Sequence, residues 1–154
     1  MRLMKKIGFA VLLVLIGIQF LQPGRNSSGQ VPATDISNTI FIPGDVKSLL
    51  QTACNDCHSN NTNYPWYANI QPMGWLLANH IKDGKAALNF SEFGGYSLRR
   101  QMSKMKSIAS QVKDDEMPLA AYTMLHKNAR LTKEQKALII DWAMETKDSL
   151  EQKQ

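Results

Sequence analysis

LLQTACNDCHSNNTNYPWY, residues 49–67, holds both cysteines of the 154-residue chain. Cys54 and Cys57 stand three positions apart, and His58 follows the second directly. Just upstream, Val46, Leu49, Leu50 and Ala53 recur at helical spacing, which predicts a helix opening near Asp45 after a Pro–Gly pair. Continued onward, that helix carries Cys57 on the same face, with Cys54 about 80° away by the 3.6-residue period. It ends at His58, before the polar turn SNNTN. Two thiols and an imidazole at a helix end suit several chemistries, and the rest of the chain decides among them.

Downstream, the pattern stays helical. PMGWLLANHIKD (72–83) reads as a second helix, with Pro72 in its first turn and Gly84 at its end. Residues 97–112 place Leu98, Met102, Met105, Ala109 and Val112 on one stripe, with Arg99, Arg100, Lys104 and Lys106 on the other sides. The last helix starts at Thr132, where TKEQ has capping-box form. Its inner face is marked by Leu131, Gln135, Leu138, Ile139 and Trp142, with only the glutamine out of place. No stretch alternates as strands do, so residues 45–154 are expected to form an all-α bundle of about four helices with long loops. Seven of the twelve aromatic residues lie between Tyr64 and Tyr96. Loops this long need something to organise them. Either they cover a plain core or they wrap a large apolar ligand.

The first twenty-one residues stand apart. Arg2, Lys5 and Lys6 precede IGFAVLLVLIGIQFL (7–21), the pattern of a signal peptide or membrane anchor. As a helix this run covers roughly 22 Å, against ~30 Å for the hydrocarbon core, a length that suits a signal sequence. The flank shows no plain cleavage site beyond Ser27, Ser28 and Gly29, which favours an uncleaved transmembrane anchor over residues 1–21. Either form exports the remainder, because the basic residues stay inside. The domain is then expected at the periplasmic face of the cytoplasmic membrane, anchored or released after cleavage. Residues 22–44 are rich in Pro, Gly, Ser, Asn and Thr and read as a linker. Within them TIFIP (39–43) suits a short extended piece at the domain edge. The net charge of +5 is mostly that of the targeting segment. Residues 45–154 carry 14 basic and 12 acidic side chains, which gives no case for nucleic acid as a partner.

Cys-x-x-Cys-His is the attachment pattern of c-type haem. Two intervening residues set the span from two thioethers to two vinyl carbons, and the next histidine falls under the iron. Cys54 and Cys57 are thus the haem thioethers of one covalent haem c, and His58 is the proximal iron ligand. A thioredoxin-type dithiol wants a βαβ setting that this chain lacks. A structural zinc site wants four ligands, and His80 and His126 lack ligand-pair spacing. A Cys54–Cys57 disulfide suits an exported chain but closes a tiny loop and has no use for the histidine. It remains as an alternative, a non-haem exported domain.

Three residues compete for the distal side of the iron. Met117 lies in DDEMPLAAY, outside any helical stripe, and Pro118 discourages helix at it. Such a methionine can point inward as a thioether ligand, whereas Met102 and Met105 sit at core spacing. His80, on the second helix, is the alternative distal ligand, with a hydrogen-bonding role as its plainer reading. His126 is the weakest of the three.

The blocks CNDCHSNNTNYPWYANIQPMGWLLANHIKDGKAALNFSEF and EMPLAAYTMLHKNARLTKEQKALIIDWA resemble the haem-binding domain family of small exported bacterial proteins. That family is similar to class I c-type cytochromes, and the resemblance covers roughly residues 40 to 145. It implies a cytochrome-c-like bundle whose first and last helices cross, with Val46, Leu49 and Leu50 meeting Leu138, Ile139 and Trp142. It also implies a haem held by Cys54, Cys57 and His58, with Met117 distal.

The expected function is single-electron transfer near the membrane with unidentified redox partner proteins, an electron carrier and not a catalyst. A Met/His pair raises the potential relative to two histidines. Tyr64, Trp66, Tyr67 and Trp75 are the expected haem-pocket aromatics, joined by Phe90 and Phe93, and their low dielectric disfavours ferric charge. The basic side of the third helix is either a solvated face or a dock for an acidic partner. The rival is a haem sensor or peroxidase-like enzyme with a labile sixth ligand.

Overall fold

All regular structure among the described residues, 2–153 of a computed structural model, is helical. In chain order the helices are α1 (Arg2–Ile18), α2 (Ile36–Thr39), α3 (Gly44–Ala53), α4 (Asn55–His58), α5 (Met73–Ala87), α6 (Leu98–Lys113), α7 (Ala120–Leu125) and α8 (Lys133–Glu151). Short 3-10 turns cover Trp66–Asn69, Phe90–Gly95 and Lys127–Ala129. The all-α expectation is met, with α3, α5, α6 and α8 starting where periodicity put them.

The main core is built on α6 against α8, with α3 packed on α8 more lightly. Val46 and Leu50 of α3, Met105, Ile108, Ala109 and Val112 of α6, and Ile139, Trp142, Ala143 and Leu150 of α8 share it with Phe90 and Phe93. Leu138, expected on the inner face of α8, is exposed, and Ala143 and Leu150 take that face. Gln135 is there for a different reason. Its side chain accepts the Thr132 N–H at 2.8 Å while Thr132 Oγ1 accepts the Gln135 N–H, completing the capping box. A second, smaller core of Ala68, Leu77 and Ile81 lies under α5.

Two local expectations fail for tertiary reasons. The first helix does not run straight through the cysteines. It breaks at Cys54 (φ −126°, ψ −42°), and α4 restarts at Asn55. The break lets Cys54 pack on the main core and Cys57 on the small one. Nor does Gly84 end α5, which runs on to Ala87. A Cβ at Gly84 would sit 2.7 Å from the Cys57 carbonyl oxygen, so the glycine is required for close approach of α5 to α4.

The expected linker lies along the domain as a strap. Gln19 exchanges two hydrogen bonds with the Gln71 backbone, and Trp75 Nε1 donates to the Leu21 carbonyl at 2.7 Å. Asn26 is its hub. The Asn26 amide nitrogen donates to Ser59 O and Thr62 Oγ1, its Oδ1 accepts from Lys85 Nζ, and its N–H donates to Tyr64 Oη. The TIFIP piece is seated by Trp142, whose Nε1 donates to the Phe41 carbonyl at 3.1 Å.

The transmembrane expectation for residues 1–21 is corrected. α1 buries none of its residues, but its 17 residues rise only about 26 Å, short of the ~30 Å core. Among the described residues no helix is long and apolar enough to cross a membrane.

Candidate functional site

His58 sits at the end of α4 with its ring held. Nδ1 lies 3.0 Å from the Leu88 carbonyl oxygen, and the ring tilts against Phe90. Burial pushes the imidazole towards its neutral form, with hydrogen bonds to the Leu88 and Gly84 backbone working the other way. A neutral ring that donates Nδ1–H to a carbonyl keeps its lone pair on Nε2, the arrangement of a metal-binding histidine. The carbonyl that orients it is positioned by the NFSEF segment. Asn89 Nδ2 donates to Asn60 Oδ1, Ser91 Oγ accepts the Asn60 N–H, and Asn89 Oδ1 caps the following 3-10 turn. These bonds lock the end of α5 to the loop just after the histidine.

A cavity of about 300 Å³ opens between α4 and α6. Cys54, His58, Leu88 and Phe90 line one side, Ile108 and Val112 the other, and Met117 closes an end. Lys104 is the one charged side chain on this lining, with Ser107 and Gln111 on the same helix. The structure therefore brings Cys54, His58 and Met117 to one apolar space. Met117 is placed by its loop: its N–H and that of Glu116 both donate to Gln111 O, at 3.1 and 3.0 Å.

Cys57 stands at the back of the motif, packed by Tyr64, Tyr67 and the Gly84 turn. No disulfide joins the two cysteines. Burial lifts Cys54 to about 12, with the neighbouring Cys57 adding to it. Burial and then the Asp56 carboxylate lift Cys57 to about 11. Both are protonated at neutral pH. Among the described residues no group of three or more His, Cys, Asp or Glu could hold a metal ion, which leaves the zinc alternative without a ligand set.

The other expected site residues lie elsewhere. Tyr64 is stacked under the Arg25 guanidinium at 4.3 Å and bonded to the strap. Trp66 is 76% exposed. Trp75 faces Leu21. His80 lines a small recess with Leu76, Tyr122 and Leu125, away from His58 and Met117. Tyr67 and His126 are partners, Oη to Nε2 at 2.6 Å. Of the two phenylalanines, Phe90 faces the cavity and Phe93 is fully buried in the core beside it. Leu88 was missed: its contribution is a backbone carbonyl, which no side-chain pattern reveals.

A larger cleft of about 610 Å³ is polar and lies across α4, lined by Asp56, Asn63, Tyr122 and His126. It holds neither cysteine nor Met117. Tyr122 Oη donates to Asp56 Oδ2 at 2.7 Å, and burial, followed by that carboxylate, holds the phenol well above its usual range.

The donor set fits a haem: an apolar slot, a thiol and an oriented imidazole on one side, and a thioether at its end. No curated protein and no solved structure compared with the chain matches it. Residues 13–145 match a family described as a haem-binding domain, a span that takes in the strap, the slot and most of α8, and the chain belongs to that family.

Proposed function

We propose that the chain is a c-type haem protein, with the porphyrin bonded to Cys54 and Cys57 and the iron ligated by His58 and Met117, and that it carries single electrons outside the cytoplasm. The observation that carries this reading is the one cavity bounded by Cys54, an oriented His58 and Met117. When bound, the haem supplies a one-electron couple at a fixed iron. The chain's own residues do the rest. The Leu88 carbonyl keeps Nδ1 protonated, so that Nε2 is the ligating nitrogen. Phe90, Ile108 and Val112 keep water from the slot, and the low dielectric there disfavours the added charge of ferric iron. The contact of α3 with α8 supports a cytochrome-c-like arrangement. Arg2, Lys5 and Lys6 in the first turns of α1, ahead of its apolar run, support export, with redox partner proteins at the membrane surface.

The experiment is a haem stain after denaturing electrophoresis, with mass spectrometry of both cysteines and spectra of the oxidised and reduced protein. Covalent haem and a six-coordinate spectrum are expected. Met117→Ala keeps the haem attached, opens the iron to added ligands and lowers the potential. Unmodified thiols, or a simple Cys54–Cys57 disulfide, would overturn the haem c reading; an unchanged spectrum in Met117→Ala would remove Met117 from it.

A further inference from the structure

Met117 reaches the cavity from a segment that adds nothing to the core. α7, two residues beyond Pro118, buries none of its side chains. Residues 117–126 are instead joined to the cysteine motif by polar contacts. Tyr122 Oη donates to Asp56 Oδ2 at 2.7 Å. The Tyr122 ring stacks on His126, centroids 4.0 Å apart and planes within 12°. His126 Nε2 lies 2.6 Å from Tyr67 Oη, on the turn that follows the motif. Asp56 stands directly before Cys57 and shares α4 with Cys57 and His58. Its other oxygen accepts the Asn63 N–H at 2.9 Å, so the carboxylate itself is fixed.

We infer that Tyr122 is a latch: bonded to Asp56 and braced by His126 and Tyr67, it holds the loop that presents Met117 against the segment that carries Cys57 and His58, and so sets how firmly the sixth position of the iron is closed. This rests on the reading of Met117 as distal ligand. Tyr122 is a positioning residue, since it acts through Met117. Three features fit a latch better than a structural tie. The α7 helix buries none of its side chains, so little burial replaces the bond if it is lost. The bond joins the proximal segment directly to the distal loop. A polar cleft lined by Asp56, Tyr122 and His126 borders the bond, so no packed layer covers it. The latch also decides between the two functional classes weighed from sequence: closed, the protein transfers electrons without binding ligands; open, it binds them.

The test uses the matured holoprotein as wild type, Tyr122→Phe, Asp56→Asn and Met117→Ala. Imidazole is titrated into the ferric form and carbon monoxide into the ferrous form, with the methionine-to-iron charge-transfer absorption followed in parallel. A hydrogen bond to a carboxylate shifts an opening equilibrium by about 10- to 100-fold. Tyr122→Phe is therefore expected to bind imidazole about 10- to 100-fold more tightly, with weakened charge-transfer absorption, unchanged haem attachment and a nearly unchanged melt. Asp56→Asn keeps an acceptor oxygen and falls between the two. If Tyr122→Phe binds like wild type while Met117→Ala binds tightly, the latch is wrong and Met117 stands. If Met117→Ala leaves spectrum and affinity unchanged, the ligand assignment and the latch fall together. A Tyr122→Phe protein that fails to fold also overturns the latch, because the inference gives α7 no part in the core.

Discussion

Gly84→Ala tests the close approach of α5 to the cysteine segment. The added Cβ would lie 2.7 Å from Cys57 O and 3.1 Å from Cys57 Cβ. The nearer atom is backbone, so no side-chain rotation relieves the contact, and α5 and α4 must part. Two terms compete. Alanine inside a helix is favoured over glycine by about 0.5–1 kcal/mol. Overpacking a closed contact costs about 1–3 kcal/mol. Gly84 lies in the last turn of α5, where the helix-forming gain is smallest, so the clash wins and a net loss of about 1–2 kcal/mol is expected. Urea unfolding of the haem-free protein, followed by helical circular dichroism, reads this as a lower midpoint at constant slope. Gly44→Ala is the control, because a Cβ there meets nothing within 4 Å. The displacement also moves Cys57, so the fraction of chains with attached haem is expected to fall in Gly84→Ala and hold in Gly44→Ala. A Gly84→Ala protein that gains about 1 kcal/mol, as an unhindered helix position does, would refute the packing argument.

Two further outcomes follow from the core and the strap. Trp142 is 5% exposed and donates to Phe41 O, so Trp142→Ala is expected to cost about 3–5 kcal/mol in thermal or urea unfolding, while haem ligation in the folded fraction stays as in wild type. Altered ligation at full stability would contradict the placement of Trp142 in the main core. Asn26→Ala removes the partner of Ser59 O, Thr62 Oγ1 and Lys85 Nζ and is expected to cost about 1–3 kcal/mol. Amide exchange should then speed up over residues 59–64 and not over α8; unchanged exchange in that loop would mean the strap does not hold it.

The features legible in the sequence were those whose cause is local. Cys54, Cys57 and His58 declare themselves by spacing. Met117 stands out because Pro118 takes it off any helical stripe, and the structure does bring it to the cavity with Cys54 and His58. Thr132 and Gln135 announce the start of α8 because both halves of a capping box lie within four residues. What was illegible depends on a distant partner. Gly84 looks like a stop signal, since close approach and helix termination select the same residue. The break at Cys54 is invisible because Val46, Leu50, Ala53 and Cys57 keep helical spacing across it; only the existence of two separate cores requires the turn. The aromatic cluster depends on distant partners in the same way. Tyr64 and Trp75 each have a polar tip, and those tips are bonded to Asn26 N and Leu21 O and not directed into the cavity beside His58.

The strap shows why composition could not separate linker from domain. A free tether and a hydrogen-bonded strap use the same residues, since Asn, Ser and Thr supply donors and acceptors in both. The difference lies in the groups they meet. Asn26 reaches Ser59, Thr62 and Lys85; Ser28 and Gly29 reach Asn60 and Asn61; Thr34 reaches Ser91 and Gly94. Apart from Lys85, in the last turn of α5, these partners lie in the loop that follows His58 or in the segment around the NFSEF block. That block is also the one whose Asn89 and Ser91 fix the loop end beside the Leu88 carbonyl. The strap, the post-histidine loop and the carbonyl that orients His58 are thus one hydrogen-bonded assembly. A unit cut at residue 45 would keep Cys54, Cys57, His58 and Met117 and lose the hydrogen-bonded outer layer that holds their frame, whose bonds start at Gln19.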